Sequence, residues 1–173
     1  MRSPATPPPI ALLRDPRHLL AFGLGSGYAP RAPGTFGTLA ALPLWPLFAP
    51  LPPLIYLLLL LLLTLIGIHL CGRTAAALDS HDHPAIVFDE WVGLYATLWL
   101  LPSGWFWVVL GVVLFRLFDI LKPWPIRWID RHVAGGVGIM LDDLLAALMA
   151  WFGVQGIALL SGQPLPLVSF VSA

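Results

Sequence analysis

The sequence predicts an all-α fold: a polytopic membrane helical bundle of about five helices, with short or broken helices near the cytoplasmic face. Three observations predict it. Hydrophobic residues make up 58% of the 173 and charged residues only 10%, against roughly 25% charged in soluble domains. The apolar residues fall in long stretches without Asp, Glu, Lys or Arg, at 32–72, at 91–115 and from Leu144 onward. Prolines and glycines cut those stretches into pieces of helical length.

Residues 1–20 form a Pro-rich lead in which Arg14, Asp15, Arg17 and His18 interrupt any apolar run. That pattern is wrong for a cleavable signal peptide, so insertion is expected to rest on the internal helices. A short helix is expected from Pro16 into Phe22, with no chemistry there. The charge-free stretch 32–72 is too long for one span of about 20 residues, and Pro50, Pro52 and Pro53 divide it. Helix 1 is therefore placed near 35–49, short and carrying Pro43 and Pro46, and helix 2 near 54–70, almost unbroken leucine. Pro102, Ser103 and Gly104 split 91–115 into a hairpin of helices 3 and 4, with one kinked span as the rival reading. Helix 5 runs from Leu144 to Leu160. The embedded domain is expected over 21–162, with a tail at 163–173.

Arg14, Arg17 and Arg31 precede helix 1, and Arg116, Lys122, Arg127 and Arg131 lie between helices 4 and 5. The bias of basic residues toward the cytoplasm puts both segments inside. Five crossings starting inside then place the lead, 71–90 and 116–143 on one face. Nearly every charged side chain shares it, and the hairpin reading is what makes this consistent.

The net charge is zero and the basic residues are dispersed, which leaves no polyelectrolyte footprint and no nucleic-acid partner. Cys71 is the only cysteine, so an intramolecular disulfide and a cysteine zinc site are excluded.

The acidic residues are the candidates for chemistry. Asp89 and Glu90 stand at the mouth of helix 3, Asp119 at the end of helix 4, and Asp142 with Asp143 open helix 5. Capping and interfacial anchoring are their ordinary roles. Several carboxylates drawn together at a bilayer nevertheless repel strongly and call for a cation, and an oxygen-only donor set suits a hard ion such as Mg2+. Adjacent helical residues point about 100° apart, so the spacing divides Asp142 from Asp143, and Asp89 from Glu90, between ion and neighbour. Asp119 and Lys122, three apart, would form a simple ion pair if the helix continues. The segment GLGSGYAPRAPGTFG (Gly23 to Gly37), with Arg31 and Thr35, offers backbone amides to an anion, as does GGVG at Gly135 to Gly138; close helix packing explains such glycines equally well. Arg116, Lys122, Arg127 and Arg131 are the stronger phosphate-binding set, with anchoring to anionic lipid as the rival. His81 and His83 around Asp82 read as a solvated loop, and His69 as a packed or interfacial histidine.

Three blocks, GSGYAPRAPGTFGTLA, IVFDEWVG and FRLFDILKPWPIRWIDRHVAGGVGIMLDDLLA, resemble the phosphatidylglycerophosphatase A family of bacterial membrane phosphatases, from about Phe22 to Ala147. The resemblance implies magnesium-dependent hydrolysis of phosphatidylglycerophosphate to phosphatidylglycerol and phosphate in phospholipid biosynthesis. It also implies a multi-pass protein of the bacterial inner membrane with its site facing the cytoplasm. The family's acidic positions fall on Asp89, Glu90, Asp119, Asp142 and Asp143, and its basic and glycine positions on Lys122, Gly34, Gly135 and Gly136. Thr38 stands where serine is expected.

The expected arrangement has Asp89, Glu90, Asp119 and one of Asp142 or Asp143 holding one or two Mg2+ ions. Lys122, assisted by Arg116 or Arg127, would neutralise the phosphoryl group, and an unliganded carboxylate would serve as base. Other phosphatase signatures are missing: the residue six after Cys71 is Ala77 rather than arginine, no DxDx[TV] motif occurs, and PSG at 102–104 is followed by Trp105 instead of histidine. A metal-activated water is the simplest nucleophile, and an aspartyl-phosphate its rival. Outside this class, a small cation or proton-coupled transporter is the main alternative, although no inverted repeat is visible, and a structural assembly protein is a third.

Overall fold

The computed structural model describes residues 7–163. These contain seven α-helices, α1 (Pro16–Ala21), α2 (Pro33–Ala41), α3 (Pro53–Ala77), α4 (Phe88–Thr97), α5 (Trp105–Leu121), α6 (Ile126–His132) and α7 (Gly135–Leu160), and no strand. Three 3-10 segments, at Ile10–Arg14, Gly23–Tyr28 and Leu42–Leu47, join the early helices.

α7 is the axis of the bundle, packed against α3, α4, α5 and α6. Small residues on α7 set the closeness: Ala146, Ala147, Ala150, Val154 and Ala158 are fully buried. At Gly136 an added Cβ would meet the Ile68 carbonyl oxygen of α3 at 1.9 Å, so α3 and α7 cross with almost no side chain between them. α4 runs parallel to α7, since Trp151 and Gln155 donate from Nε1 and Nε2 to the carbonyls of Trp99 and Leu100, each at 2.8 Å. α5 returns antiparallel, with Trp107 beside Val154 and Ala158 and Phe115 beside Ala146. Tyr95 ties α2 to α4 by donating to the Ala41 carbonyl at 3.0 Å, and Tyr56 of α3 donates to the Tyr95 carbonyl at 2.7 Å. These hydrogen bonds satisfy phenols that would be costly if left unpaired in an apolar core.

α3 and α7, of 25 and 26 residues, are the helices among the described residues long and apolar enough to cross a membrane. α4 and α5 reach only about 15 and 25 Å at 1.5 Å per residue. The stretch 91–115 is broken between Thr97 and Trp105, where Gly104 adopts φ 119°. The outer faces of α3, α5 and α7 expose Leu58, Leu61, Leu65, Phe106, Val109, Val113 and Phe152, a surface that suits lipid rather than water.

Three expectations change. Helix 1 is the nine-residue α2 followed by the 3-10 segment Leu42–Leu47, because Pro43 and Pro46 interrupt the α-helical hydrogen-bond ladder. The last helix starts at Gly135, so Asp142 and Asp143 lie two turns inside α7 rather than at its opening. A further helix, α6, stands in the segment read as a connection. The lead is partly packed as well: His18 shares a hydrogen bond with Thr74 of α3 at 2.8 Å, and Tyr28 donates to the Pro9 carbonyl at 3.2 Å. The expected tail lies, apart from Gln163, outside the described residues.

Candidate active site

Four helix ends meet at one end of the bundle: the starts of α2 and α4, the end of α5 and the first half of α7. Asp89 and Glu90 occupy the first turn of α4, where the helix dipole favours an anion. Gly93, one turn on, lets α7 and α5 close in; a Cβ there would lie 2.6 Å from the Phe115 ring and 3.3 Å from the Asp143 carbonyl oxygen. One carboxylate oxygen each from Asp89, Glu90 and Asp143 lie within 4.8 Å of one another, and all three residues are buried. Asp89 Oδ1, Glu90 Oε2 and Asp143 Oδ2 have no hydrogen-bond partner. Three buried carboxylates with orphaned oxygens are a strongly unfavourable arrangement unless protons or a cation compensate them.

The remaining acids have partners. Arg116 Nη1 lies 2.6 Å from Asp119 Oδ2 and 3.7 Å from Glu90 Oε1. Lys122 Nζ donates to Asp130 Oδ1 at 2.6 Å and to Asp142 Oδ2 at 2.5 Å, while the Asp143 amide donates to Asp142 Oδ1 at 3.0 Å. Burial disfavours the charge on Lys122, but Asp142 and Asp130 outweigh it and hold the ammonium above the usual lysine range. The lysine takes this position because α5 ends at Leu121 and Lys122 turns left-handed, φ 44° and ψ 59°. That geometry replaces the expected Asp119–Lys122 pair: the helix does not continue, so Asp119 pairs one turn back with Arg116.

The trio, Asp119, Asp142 and both cations line a cavity of about 280 Å³. Gly34 forms part of its wall; a Cβ there would stand 2.1 Å from Glu90 Oε1 and 2.9 Å from Arg116 Nη2, so any side chain would displace one of them. Thr38 keeps the hydroxyl expected of serine and donates to the Gly34 carbonyl at 2.9 Å.

Of the residues predicted from sequence, the fold brings Gly34, Asp89, Glu90, Arg116, Asp119, Lys122, Asp142 and Asp143 to this cavity. The division of Asp142 from Asp143 by helical geometry is visible: Asp143 faces the carboxylate trio and Asp142 faces Lys122. The same argument fails for Asp89 and Glu90, which bring one carboxylate oxygen each into the same cluster with Asp143. Arg31 is exposed and Thr35 half-buried, and neither lines the cavity. Gly136 packs against α3, and Gly135 is exposed at φ 73°. Arg127 lines a neighbouring cavity and donates from Nη2 to the Leu121 carbonyl at 3.2 Å.

Two residues escaped the sequence reading. Asp130, eight positions after Lys122 across a proline-rich turn, carries no periodic signal that links it to that lysine. Asp82, read as part of a solvated loop, lines the wall shared by the acidic cavity and its neighbour.

The chain matches the phosphatidylglycerophosphatase A family over residues 19–158. It is 47% identical over 139 residues to phosphatidylglycerophosphatase A of Escherichia coli K12, covering 80% of this chain and 81% of that protein. It is 46% identical over 143 residues to the Haemophilus influenzae protein of the same name, covering 82% and 87%. A Bacteroides thetaiotaomicron protein named as a candidate phosphatidylinositol-3-phosphatase is 37% identical over 140 residues, covering 77% and 87%. No solved structure matches. With the family signature spanning the bundle from α1 to α7 and relatives aligned over most of their length, the chain belongs to the phosphatidylglycerophosphatase A family.

Proposed function

We propose that this protein is a magnesium-dependent phosphatase that hydrolyses phosphatidylglycerophosphate to phosphatidylglycerol and inorganic phosphate, a step of phospholipid biosynthesis. Its place is the bacterial inner membrane, crossed several times, with the site facing the cytoplasm. The observation that carries the reading is the buried trio Asp89, Glu90 and Asp143, which bring one carboxylate oxygen each within 4.8 Å of one another and each keep an oxygen without a hydrogen-bond partner, in a chain whose relatives are named for this activity.

The trio fits a divalent ion by its chemistry: the donors are all carboxylate oxygens, buried, each residue keeps an oxygen without a hydrogen-bond partner, and the one nearby cation, Arg116, reaches only Glu90 and at 3.7 Å. Asp89, Glu90 and Asp143 would hold Mg2+, with Asp119 able to join by releasing Arg116. Bound there, Mg2+ supplies Lewis-acid charge toward the phosphoryl oxygens and lowers the pKa of water. Lys122 and Arg116, on the walls of the same cavity, take the non-bridging oxygens of the phosphomonoester and neutralise charge that grows in the transition state. Asp130 and Asp142 keep Lys122 protonated and aimed at the cavity. Water attacks phosphorus in line as it gives a proton to an unliganded carboxylate of the cavity, the P–O bond to the glycerol breaks, and the carboxylate returns that proton to the leaving oxygen. The acyl chains stay in the bilayer beside the exposed apolar faces of the bundle.

The test is phosphate release from phosphatidylglycerophosphate by purified protein, with Mg2+ and with excess chelator, beside an Asp143→Asn variant. Release that needs both the metal and Asp143 supports the reading. Undiminished release in chelator, or from the variant, overturns it. Trapping with hydroxylamine under single-turnover conditions separates the two routes: an aspartyl-phosphate is intercepted as a hydroxamate on the enzyme, whereas direct attack of water leaves the protein unmodified.

A further inference from the structure

A second cavity, about 670 Å³, adjoins the acidic one and shares Asp82, Ile120 and Lys122 with it. Its outer wall is α6, which presents Arg127 and Arg131 one turn apart on one face. Neither arginine has a carboxylate partner among the described ion pairs, because Asp130, lying between them in sequence, is engaged by Lys122. A wall with two arginines so placed is an anion site, since a guanidinium grips a phosphate with two parallel hydrogen bonds. Its margin is apolar and exposed: Ile120, Leu121, Trp124 and Trp128 are 66%, 57%, 81% and 54% accessible. Tryptophans so placed mark the level of the lipid headgroups.

We propose that this second cavity is the subsite for the phosphodiester of a two-phosphate lipid, held by Arg127 and Arg131 while the terminal phosphomonoester enters the acidic cavity. The inference rests on the phosphatase reading above and adds to it the feature by which the substrate is chosen. In such a lipid a glycerol linker with one free hydroxyl joins the two phosphates, and the shared wall of Asp82 and Lys122 stands where that linker passes. Asp82 accepts the hydrogen bond of the hydroxyl. Beyond the phosphodiester the diacylglycerol leaves the cavity over Ile120, Leu121 and Trp124 into the bilayer. Arg127 and Arg131 are thus specificity determinants: they bind the part of the substrate that does not react, so their loss weakens binding and leaves the chemical step intact.

The test is steady-state phosphate release from phosphatidylglycerophosphate in zwitterionic mixed micelles, comparing wild type with the double variant Arg127→Gln/Arg131→Gln. KM is expected to rise at least ~10-fold, the loss of about one charge-assisted contact, with kcat within roughly threefold. Arg127→Lys/Arg131→Lys keeps the charge and is expected to recover part of the lost affinity. Arg14→Gln, which removes a charge from the exposed lead, is expected to leave KM unchanged. Melting in detergent checks that each variant is folded; if the glutamine pair is not, the lysine pair, with a smaller rise in KM at equal kcat, decides. An unchanged KM, an equal rise in Arg14→Gln, or a fall in kcat alone overturns the subsite. Wild-type protein that releases no phosphate with Mg2+ present overturns the phosphatase reading itself, and the subsite with it.

Discussion

Asp142 and Asp143 are neighbours in the chain and opposites in circumstance. Asp142 is held by Lys122 at 2.5 Å and accepts the amide of Asp143; Asp143 turns about 100° away into a trio of carboxylates and keeps a bare oxygen. The same contrast runs through the whole charged end of the bundle. Lys122 and Arg116 settle Asp130, Asp142 and Asp119, and no cation among the described residues pairs with Asp89 or Asp143, while Glu90 has only a long contact of 3.7 Å. A protein that can place a lysine between two aspartates can also neutralise a third. Asp89 and Asp143 without such a partner, and Glu90 with only a distant one, are what the proposed Mg2+ would compensate.

This contrast is testable, and the largest effect is expected at the trio. Asp143→Asn should reduce phosphate release by at least ~100-fold, as loss of an ion ligand does, and abolish the rise in melting temperature that Mg2+ produces in the parent. In chelator the variant should melt higher than the parent, because a source of buried repulsion is gone. A variant that melts lower in chelator and still responds to Mg2+ would break the comparison.

Lys122→Met should act in the opposite sense. It strands Asp130 and Asp142, and for a partly exposed lysine a cost of about 1–3 kcal/mol is expected, read as a lower denaturation midpoint with or without Mg2+. Adding Asp142→Asn should return part of that stability without returning activity. If the double variant is as active as wild type, Lys122 has no part in handling phosphate.

Three glycines sharpen the distinction further. Gly34→Ala should push Glu90 or Arg116 aside and weaken Mg2+ binding by roughly 10- to 100-fold in a titration, with little change in melting. Gly136→Ala, where the obstacle is the Ile68 carbonyl oxygen at 1.9 Å, should instead cost about 1–3 kcal/mol of stability through overpacking while leaving Mg2+ affinity unchanged in the folded fraction. The smallest effect is expected at Gly135→Ala, about 1 kcal/mol from the positive φ at an exposed position, with activity retained. Loss of Mg2+ affinity in Gly136→Ala would contradict the assignment of that glycine to packing.

The amino-acid sequence by itself determined the helical class of the protein and which acids gather at one end of it. Leucine-rich stretches without charge can satisfy their backbone only as helices in lipid, and the breaks at Pro102 to Gly104 and around Pro50 follow from the lost donor and the fixed φ of proline. The acids Asp89, Glu90, Asp119, Asp142 and Asp143 stood out because charge is so rare in this chain. The start of α7 was legible less well, since GGVG reads as loop by propensity; tight contact with α3 at Gly136 overrides it, as packing commonly does. Which acids pair with the chain's own cations was decided by tertiary structure alone. The left-handed turn at Lys122 and the fold-back of α6 bring Asp130 and Asp142 to one ammonium, while the parallel packing of α4 and α7 brings Asp143 to Asp89 and Glu90. Periodicity reports which side of its own helix a residue occupies. What stands opposite depends on how deeply neighbouring helices interlock, which here is a matter of where a Cβ is absent.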